Sequence, residues 1–180
     1  MKQRERNKMA PVQTITRHRL SVLVQDVDGI ITRVSALFTR RGYNMVSLVS
    51  ASTETEGINR LTIVVDASEY SVGQIQKQLN KLVQVIKVQR LDDDATVARS
   101  MMLVKVSADN GNRPQVVDAA NIFRARVVDV SPESLVIEAT GTPAKLRALL
   151  EVLEPFGIRE LASSGDVALS RGAETMASQS

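Results

Sequence analysis

The alternation of hydrophobic and polar positions changes its period within residues 24–30. Before this stretch, Leu20, Val22 and Val24 occupy every second position, which predicts a β-strand. After it, apolar side chains recur at i, i+4, i+7 and i+8, the spacing of one face of an α-helix. These side chains are Ile30, Val34, Leu37 and Phe38. The first half of the chain is therefore organised around a strand that leads directly into a helix.

The turn between this strand and this helix has the sequence Asp26-Val27-Asp28-Gly29-Ile30. We expect Asp28 to cap the helix and Gly29 to allow a sharp turn and the close approach of a ligand. The first N–H groups of a helix lack internal partners and favour a carboxylate. A free amino acid fits such a corner, with its ammonium group near Asp26 or a backbone carbonyl. A turn without any ligand is the alternative that this pattern leaves open.

Three more strands and a second helix are predicted in the first half of the chain. The first helix should end at Gly42, because Arg40 and Arg41 suit its C-terminal dipole and glycine can take the left-handed closing position. The later elements are a strand at 46–51, a hairpin connection at 53–57, a strand at 59–65, a helix behind a Ser71 cap with Val72, Ile75, Leu79 and Leu82 on one face, and a strand at 85–91. The order β-α-β-β-α-β is typical of ferredoxin-like folds.

Three successive acids, Asp92-Asp93-Asp94, interrupt the pattern and mark a domain boundary. The same order of elements then recurs, with strands at 102–106, 127–130, 135–139 and 158–162, helices beginning near Pro114 and behind a Thr142 cap, and an extra edge at 167–169. The predicted fold class is α+β, with two consecutive ferredoxin-like βαββαβ modules. We divide the chain into a disordered basic tail (1–16), a first module (17–91), a linker (92–98), a second module (99–172) and a tail (173–180).

Both faces of the first predicted sheet carry aliphatic side chains. The residues Leu23, Val24, Val49, Val64 and Val65 cannot all point toward the same two helices. An open four-stranded sheet with helices on one side also has exposed edges. We therefore expect a second subunit to cover part of the sheet, through edge pairing, helix packing or both.

Composition and charge narrow the function classes. The 180 residues are 43% hydrophobic, as in an ordinary globular protein, and the lack of cysteine excludes disulfides and thiolate sites and fits a reducing cytoplasm. No apolar run approaches the ~20 residues needed to cross a bilayer, so no membrane partner is expected. The net charge of +3 invites a nucleic-acid interpretation. Much of the excess, however, lies in or beside the N-terminal tail, which we expect to be a solvated arm: Lys2, Arg4, Arg6, Lys8, Arg17 and Arg19.

Candidates for catalysis are scarce. The only histidine, His18, adjoins the basic tail, where we expect a surface residue rather than a general base. No second histidine supports a Ser/His/Asp set, and no glycine-rich phosphate motif is present, so a self-contained enzyme is not expected. RNA-binding versions of this fold need aromatic residues on their central strands. The aromatic residues of this chain fall instead at helices and loops: Phe38, Tyr43, Tyr70, Phe123 and Phe156.

Several longer motifs are specific enough to indicate a family. Residues 20–24, Gly29 and the block Leu37-Phe-Thr-Arg-Arg-Gly-Tyr-Asn-Met-Val-Ser-Leu48 are followed by matching segments at 76–83, 102–106, 122–130, 138–142 and 168–172. This series strongly resembles the regulatory (small) subunit of acetolactate synthase, also called acetohydroxyacid synthase. The likeness covers about residues 18–172. One departure is Ser163, which stands where the family usually has an arginine.

The resemblance implies an N-terminal ACT domain that binds a branched-chain amino acid, usually valine, at a homodimer interface. It also implies a catalytic large subunit that carries thiamine diphosphate, Mg²⁺ and FAD, with no cofactor in this chain. The small subunit is expected to activate that enzyme and to confer feedback inhibition by valine in branched-chain amino-acid biosynthesis. A free-standing amino-acid-binding regulator of transcription or transport is the alternative function.

The resemblance places seven residues at the effector: Asp26, Val27, Asp28, Gly29, Ile30, Asn44 and Ala51. For Asn44, a hydrogen bond within the turn is the structural alternative. For Ala51, which would approach the effector across the dimer, ordinary strand packing is the alternative. Valine, leucine and isoleucine differ too little for the sequence to rank them in an aliphatic pocket.

Overall fold

The computed structural model describes residues 14–176, so most of the predicted N-terminal tail and the last four residues lie outside the described part. The order of elements is β1 (Thr16–Gln25), α1 (Ile30–Arg41), β2 (Asn44–Ser52), β3 (Ile58–Ala67), α2 (Glu69–Leu79), β4 (Val85–Leu91), β5 (Thr96–Ser107), α3 (Arg113–Ile122), β6 (Arg126–Val130), β7 (Ser134–Gly141), α4 (Pro143–Leu153), β8 (Ile158–Ser163) and β9 (Val167–Ser170). The predicted fold of two successive βαββαβ modules is confirmed.

Each module contains one antiparallel sheet of the same topology. The first sheet has the strand order β2-β3-β1-β4, and the second has the order β6-β7-β5-β8, with β9 paired to β5 outside that path. In each case the first and third strands of the module are central. The split βαβ arrangement places both crossover helices on one face of each sheet. The alternation seen in the sequence therefore decides which side chains meet the helices.

The core of the first module lies between its sheet and α1 and α2. The side chains of Leu20, Val22 and Val24 are fully buried there, together with Leu61, Ile63 and Val65 from β3. The helix α1 supplies Ile30, Val34, Leu37 and Phe38, the same four residues that the sequence places on its apolar face. The second module repeats this plan with β5, β7, α3 and α4.

Two local predictions need correction at the start of the first sheet. The strand β1 begins at Thr16 rather than near residue 20, because β3 extends to Ala67 and offers it a hydrogen-bonding partner. His18 is consequently buried instead of exposed, and its Nε2 donates to the carbonyl of Ala67 at 3.1 Å. Arg17 likewise belongs to the sheet, where it forms a double hydrogen bond with Asp66. That contact raises the pKa of Arg17 and lowers that of Asp66.

The structure differs in detail from two further predictions, the N-cap of α2 and the linker. The N-cap of α2 is Ser68 rather than Ser71, since the Ser68 hydroxyl accepts the N–H of Ser71 at 3.2 Å. The segment predicted as a linker, 92–98, is partly regular, because β5 begins at Thr96. The caps at Gly42 and Thr142 are found as predicted.

The helix-free face of the first sheet is covered by the C-terminal part of the same chain. Leu23 and Val64 lie on this face, yet they are only 7% and 3% exposed. The ribbon formed by β9 and the first residues of β5 lies next to β4, where Gln89 donates to the Ser170 hydroxyl at 3.1 Å. The expectation that a second subunit must bury these side chains is therefore wrong for this face.

The segment after β9 continues across the same face. Met176 is buried, its carbonyl accepts a hydrogen bond from Lys87 at 2.9 Å, and its sulfur lies 3.2 Å from a guanidinium nitrogen of Arg60. Met176, in the segment predicted as a tail, thus packs against the first sheet. No sequence pattern predicts this contact, since the segment is small and polar apart from one methionine.

A buried cation joins the two modules. The guanidinium group of Arg19, on the helix-free face of β1, donates to Asp166 at 2.7 and 3.0 Å and to Asp93 at 2.8 Å. Ser100 of β5 donates to the other oxygen of Asp166 at 2.5 Å. Burial alone would lower the pKa of Arg19, but the hydrogen bonds to Asp166 and Asp93 raise it. Arg19 therefore holds the acidic connection and the loop before β9 against the first sheet.

Replacing Asp166 by alanine should destabilise the whole chain. Asp166→Ala removes two hydrogen bonds to a buried charge, and we expect a loss of about 2 kcal/mol in the free energy of unfolding. Urea denaturation followed by circular dichroism measures this loss. Asp94→Ala is the control, because Asp94 has no hydrogen bond or ion pair within residues 14–176. Equal stability of the two variants would contradict the role assigned to Arg19.

Candidate functional site

The end of β1 is fixed by its neighbours on both sides. The N–H of Gln25 donates to the carbonyl of Gln84 at 2.9 Å, and the N–H of Asp26 donates to the carbonyl of Gly57 at 2.8 Å. The carboxylate of Asp26 accepts the side-chain amide of Asn59 at 2.7 Å. Asp26 is exposed, so its carboxylate is oriented by Asn59 and remains open to solvent. This arrangement presents a negative charge of fixed position beside the turn.

Gly29, rather than Asp28, occupies the N-cap position of α1. Its φ of 78° and ψ of 8° are left-handed, and the helix begins at the next residue. Asp28 lies one position too early to bond the first turn of the helix, and no side-chain cap is formed, so the predicted capping by Asp28 is wrong. The prediction that Gly29 allows a sharp turn is confirmed by its dihedral angles.

The backbone of this turn leaves several donors open. Within residues 14–176, the N–H groups of Asp28, Gly29 and Ile31 form no hydrogen bond. Among residues 14–176, no atom lies within 4 Å of a Cβ added at Gly29, so none of these residues blocks that side of the turn. Open N–H groups at the positive end of a helix dipole can hold a carboxylate. The turn thus offers donors for an anion and, at Asp26, an acceptor for a cation.

The side chains at the turn are divided between core and solvent. Ile30 is 4% exposed and packs in the core of the first module, so only its backbone is available to a ligand in this chain. Val27 and Ile31 are 40% and 38% exposed, which leaves two aliphatic surfaces next to the open donors. Ile31 and Asn59 were not identified by sequence reasoning. Asn59 could have been found from the strand register, because it pairs with Val24, two residues before Asp26.

Asn44 and Ala51 do not meet this turn within one chain. Asn44 begins β2, beyond the C-terminal end of α1, and twelve helical residues at 1.5 Å each separate it from Gly29 by roughly 18 Å. Its side chain is exposed and forms no hydrogen bond among the described residues, so the alternative of a hydrogen-bonded turn is not found. Ala51 is exposed on the edge strand β2, opposite Arg60.

The outer side of α1 and the edge strand β2 form an open surface of the first module. A shallow depression on α1 is lined by Ile31, Thr32, Ser35, Ala36, Thr39 and Arg40. The small side chains in its middle allow another helix to approach closely. No partner strand lies on the outer side of β2 in the described part of the chain.

Two other kinds of feature, a metal site and a membrane-spanning helix, are not found among the described residues. Within residues 14–176, no group of three His, Cys, Asp or Glu side chains could hold a metal ion. None of the helices in that range is long and apolar enough to span a membrane.

Comparison with known proteins matches both modules. Residues 20–87 match a family model described as the AHAS small subunit-like ACT domain, and residues 99–172 match one described as the small subunit of acetolactate synthase. The acetolactate synthase small subunit of Mycobacterium bovis is 58% identical over 155 residues, which cover 86% of this chain and 92% of that protein.

The chain belongs to the acetolactate synthase small subunit family.

A second relative and a solved structure extend this result. The acetolactate synthase small subunit of Mycolicibacterium smegmatis is 56% identical over 155 residues, covering 86% of this chain and 91% of that protein. The crystal structure of the acetolactate synthase small subunit from Thermotoga maritima has a TM-score of 0.80 and 36% identity, covering 89% of this chain and 100% of that chain. The fold found here is therefore that of an acetolactate synthase small subunit over both modules.

In this chain, the turn conformation requires glycine at position 29. Gly29→Ala should lower the free energy of unfolding by about 1 kcal/mol, because an L-residue is strained at this left-handed φ even though space is available. Gly73→Ala is a matched control, since Gly73 is helical and a Cβ there meets nothing within 4 Å. We expect that control to gain about 0.5–1 kcal/mol. Thermal denaturation of both variants measures whether the stability falls or rises. A stabilising effect at position 29 would contradict the assigned turn.

Proposed function

We propose that this chain is the regulatory subunit of acetolactate synthase, acting as a homodimer in the cytoplasm. It activates the catalytic large subunit and makes that enzyme sensitive to valine. It does not itself catalyse the reaction, and thiamine diphosphate, Mg²⁺ and FAD belong to the large subunit. Family membership supports the partner, and the open donors beside Gly29 support an amino acid as the effector. The seven residues from Asp26 to Ile30, Asn44 and Ala51 form the proposed effector site.

The position of Asn44 is the observation that favours a site shared by two copies. Gly29 and Asn44 lie at opposite ends of α1, roughly 18 Å apart, and cannot contact one small ligand within the same chain. When two α1 helices pack antiparallel about a two-fold axis, the turn of one copy lies beside Asn44 of the other. The shallow depression on α1 and the free edge of β2 provide the surfaces for this packing.

Valine matches the chemistry of such a shared site. Its carboxylate bonds the open N–H groups of Gly29 and Ile31, and its ammonium group lies near the Asp26 carboxylate that Asn59 orients. Its isopropyl group packs between the exposed aliphatic side chains of Val27 and Ile31. Isovalerate, an aliphatic carboxylate without an ammonium group, lacks the partner for Asp26.

Valine acts on the enzyme by favouring one arrangement of the dimer over another. A ligand shifts such an equilibrium only as far as its affinities for the two arrangements differ. A coupling free energy of about 1–3 kcal/mol is typical between distant sites and accounts for partial inhibition.

Gly29→Asp and Asn44→Ala should each remove valine sensitivity while the large subunit is still activated. The new carboxylate at position 29 would repel the carboxylate of valine, and loss of the Asn44 amide removes a polar contact from the opposite copy. We expect roughly a tenfold or greater rise in the valine concentration for half inhibition. The synthase assay, with and without this chain, measures both properties. Asn121→Ala, an exposed asparagine on α3, is the matched control.

Mixing the two variants tests the sharing of the site directly. A mixed dimer of Gly29→Asp and Asn44→Ala chains contains one site with both changes and one unaltered site. Co-expression with random pairing should therefore restore valine binding at about one quarter of all sites, measured by calorimetric titration. Absence of any restoration would contradict a shared site. Full valine sensitivity of both single variants would contradict the location itself. Parallel titrations with leucine and isoleucine determine the preferred effector.

A further inference from the structure

A second candidate site lies between the two modules, away from the turn at Gly29. A cleft of about 490 Å³ is bounded on one side by β1 and on the other by the start of α4. Among the described residues, five arginines line this cleft, namely Arg17, Arg19, Arg99, Arg147 and Arg171, against a single acidic residue, Asp93. Its volume is in the range of ordinary small-molecule sites. The lining therefore carries a strong excess of positive charge.

Two of these arginines already have carboxylate partners. Arg17 binds Asp66, and Arg19 binds Asp166 and the one lining acid, Asp93. Consequently Asp93 is not available to balance the remaining charges. The pairing also fixes the position of both guanidinium groups at the wall formed by β1.

The other three arginines have no ion pair within residues 14–176. Arg99 donates to the carbonyl of Ala98 at 2.8 Å, while the side chains of Arg147 and Arg171 form no hydrogen bond in that range. They come from β5, from α4 and from the segment after β9, so three separate parts of the chain bring like charges to one place. Guanidinium groups arranged in this way match the oxygens of phosphate, which they bind in pairs of hydrogen bonds.

The first turn of α4 adds to the positive potential of the cleft. Thr142, Pro143 and Ala144 line it, and Thr142 caps the helix by accepting the N–H of Lys145 at 3.2 Å. The positive end of the helix dipole therefore faces the same space as the arginines. The arginines are the main feature, and the helix end reinforces them.

We propose that this cleft binds a small phosphate ester or polyphosphate with at least two negative charges. Such a ligand bridges the modules, because Arg17 and Arg19 belong to the first module and Arg147 to the second. The cleft volume of about 490 Å³ suits a small molecule better than an acidic protein segment. Binding stabilises the observed contact of the modules and is independent of valine binding at Gly29.

Inorganic pyrophosphate is the probe for a direct test on the full chain. Calorimetric titration at low ionic strength should give saturable binding, and pyrophosphate should raise the midpoint of thermal unfolding. Arg147→Ala and Arg171→Ala should each weaken the affinity roughly tenfold, since each removes a charged hydrogen-bond donor. Lys77→Ala, which removes an exposed charge on α2 outside the cleft, should leave it unchanged.

Three results would overturn the proposal. These are absence of saturable binding, equal weakening by Lys77→Ala, and equal affinity for citrate, which would show selection for charge alone. Thermal unfolding without ligand verifies that the variants are folded. Two separate arginine variants are used so that the test does not depend on the folding of either one. Valine response of the synthase is measured in the same preparations, so failure here and failure of the proposed effector site are distinguished.

Discussion

The arrangement of the chain depends on a charge that has been taken out of water. Arg19 points away from the core of the first module, toward a face that would otherwise be open, and it is only 9% exposed. A guanidinium group in that position is tolerated only when its donors are satisfied, because an unpaired buried charge costs several kcal/mol. Asp166 and Asp93 satisfy them, and both come from segments beyond the first module. The helix-free face of the first sheet therefore depends on the C-terminal half of the chain for the carboxylate that pairs with Arg19 at Asp166.

Periodicity predicted the fold because the pattern of apolar residues in each strand and helix agrees with the face that the fold buries. The alternation at Leu20, Val22 and Val24 and the helical spacing from Ile30 to Phe38 both reappear as buried faces. The sequence also predicted two helix caps, the left-handed glycine at Gly42 and the Thr-Pro pair that begins at Thr142. Long-range contacts were not readable, since the burial of His18, Leu23 and Met176 results from segments far apart in the sequence. No local pattern around residues 170–176 signals that they cover a distant sheet.

The candidate effector site was predictable only in part for a related reason. The turn from Asp26 to Ile30 is contiguous, so sequence alone could mark it. Its capping was assigned to the wrong residue because the N-cap falls one position later, at Gly29, which has no side chain to accept a hydrogen bond. Asn44 became informative only when its distance from Gly29 along α1 was known. Because Asn44 and Gly29 are too far apart to share a ligand within one chain, their separation supports a ligand site formed between two chains.

The strand β5 has a consequence for how the two halves move. Its twelve residues run without interruption from the ribbon over the first sheet into the centre of the second sheet, a length of roughly 40 Å. It pairs with β9 at residues 96–99 and with β7 at residues 100–107, so its two halves form one continuous paired strand. A change in the orientation of the first sheet would therefore reach the second module through a paired strand and not through a flexible linker.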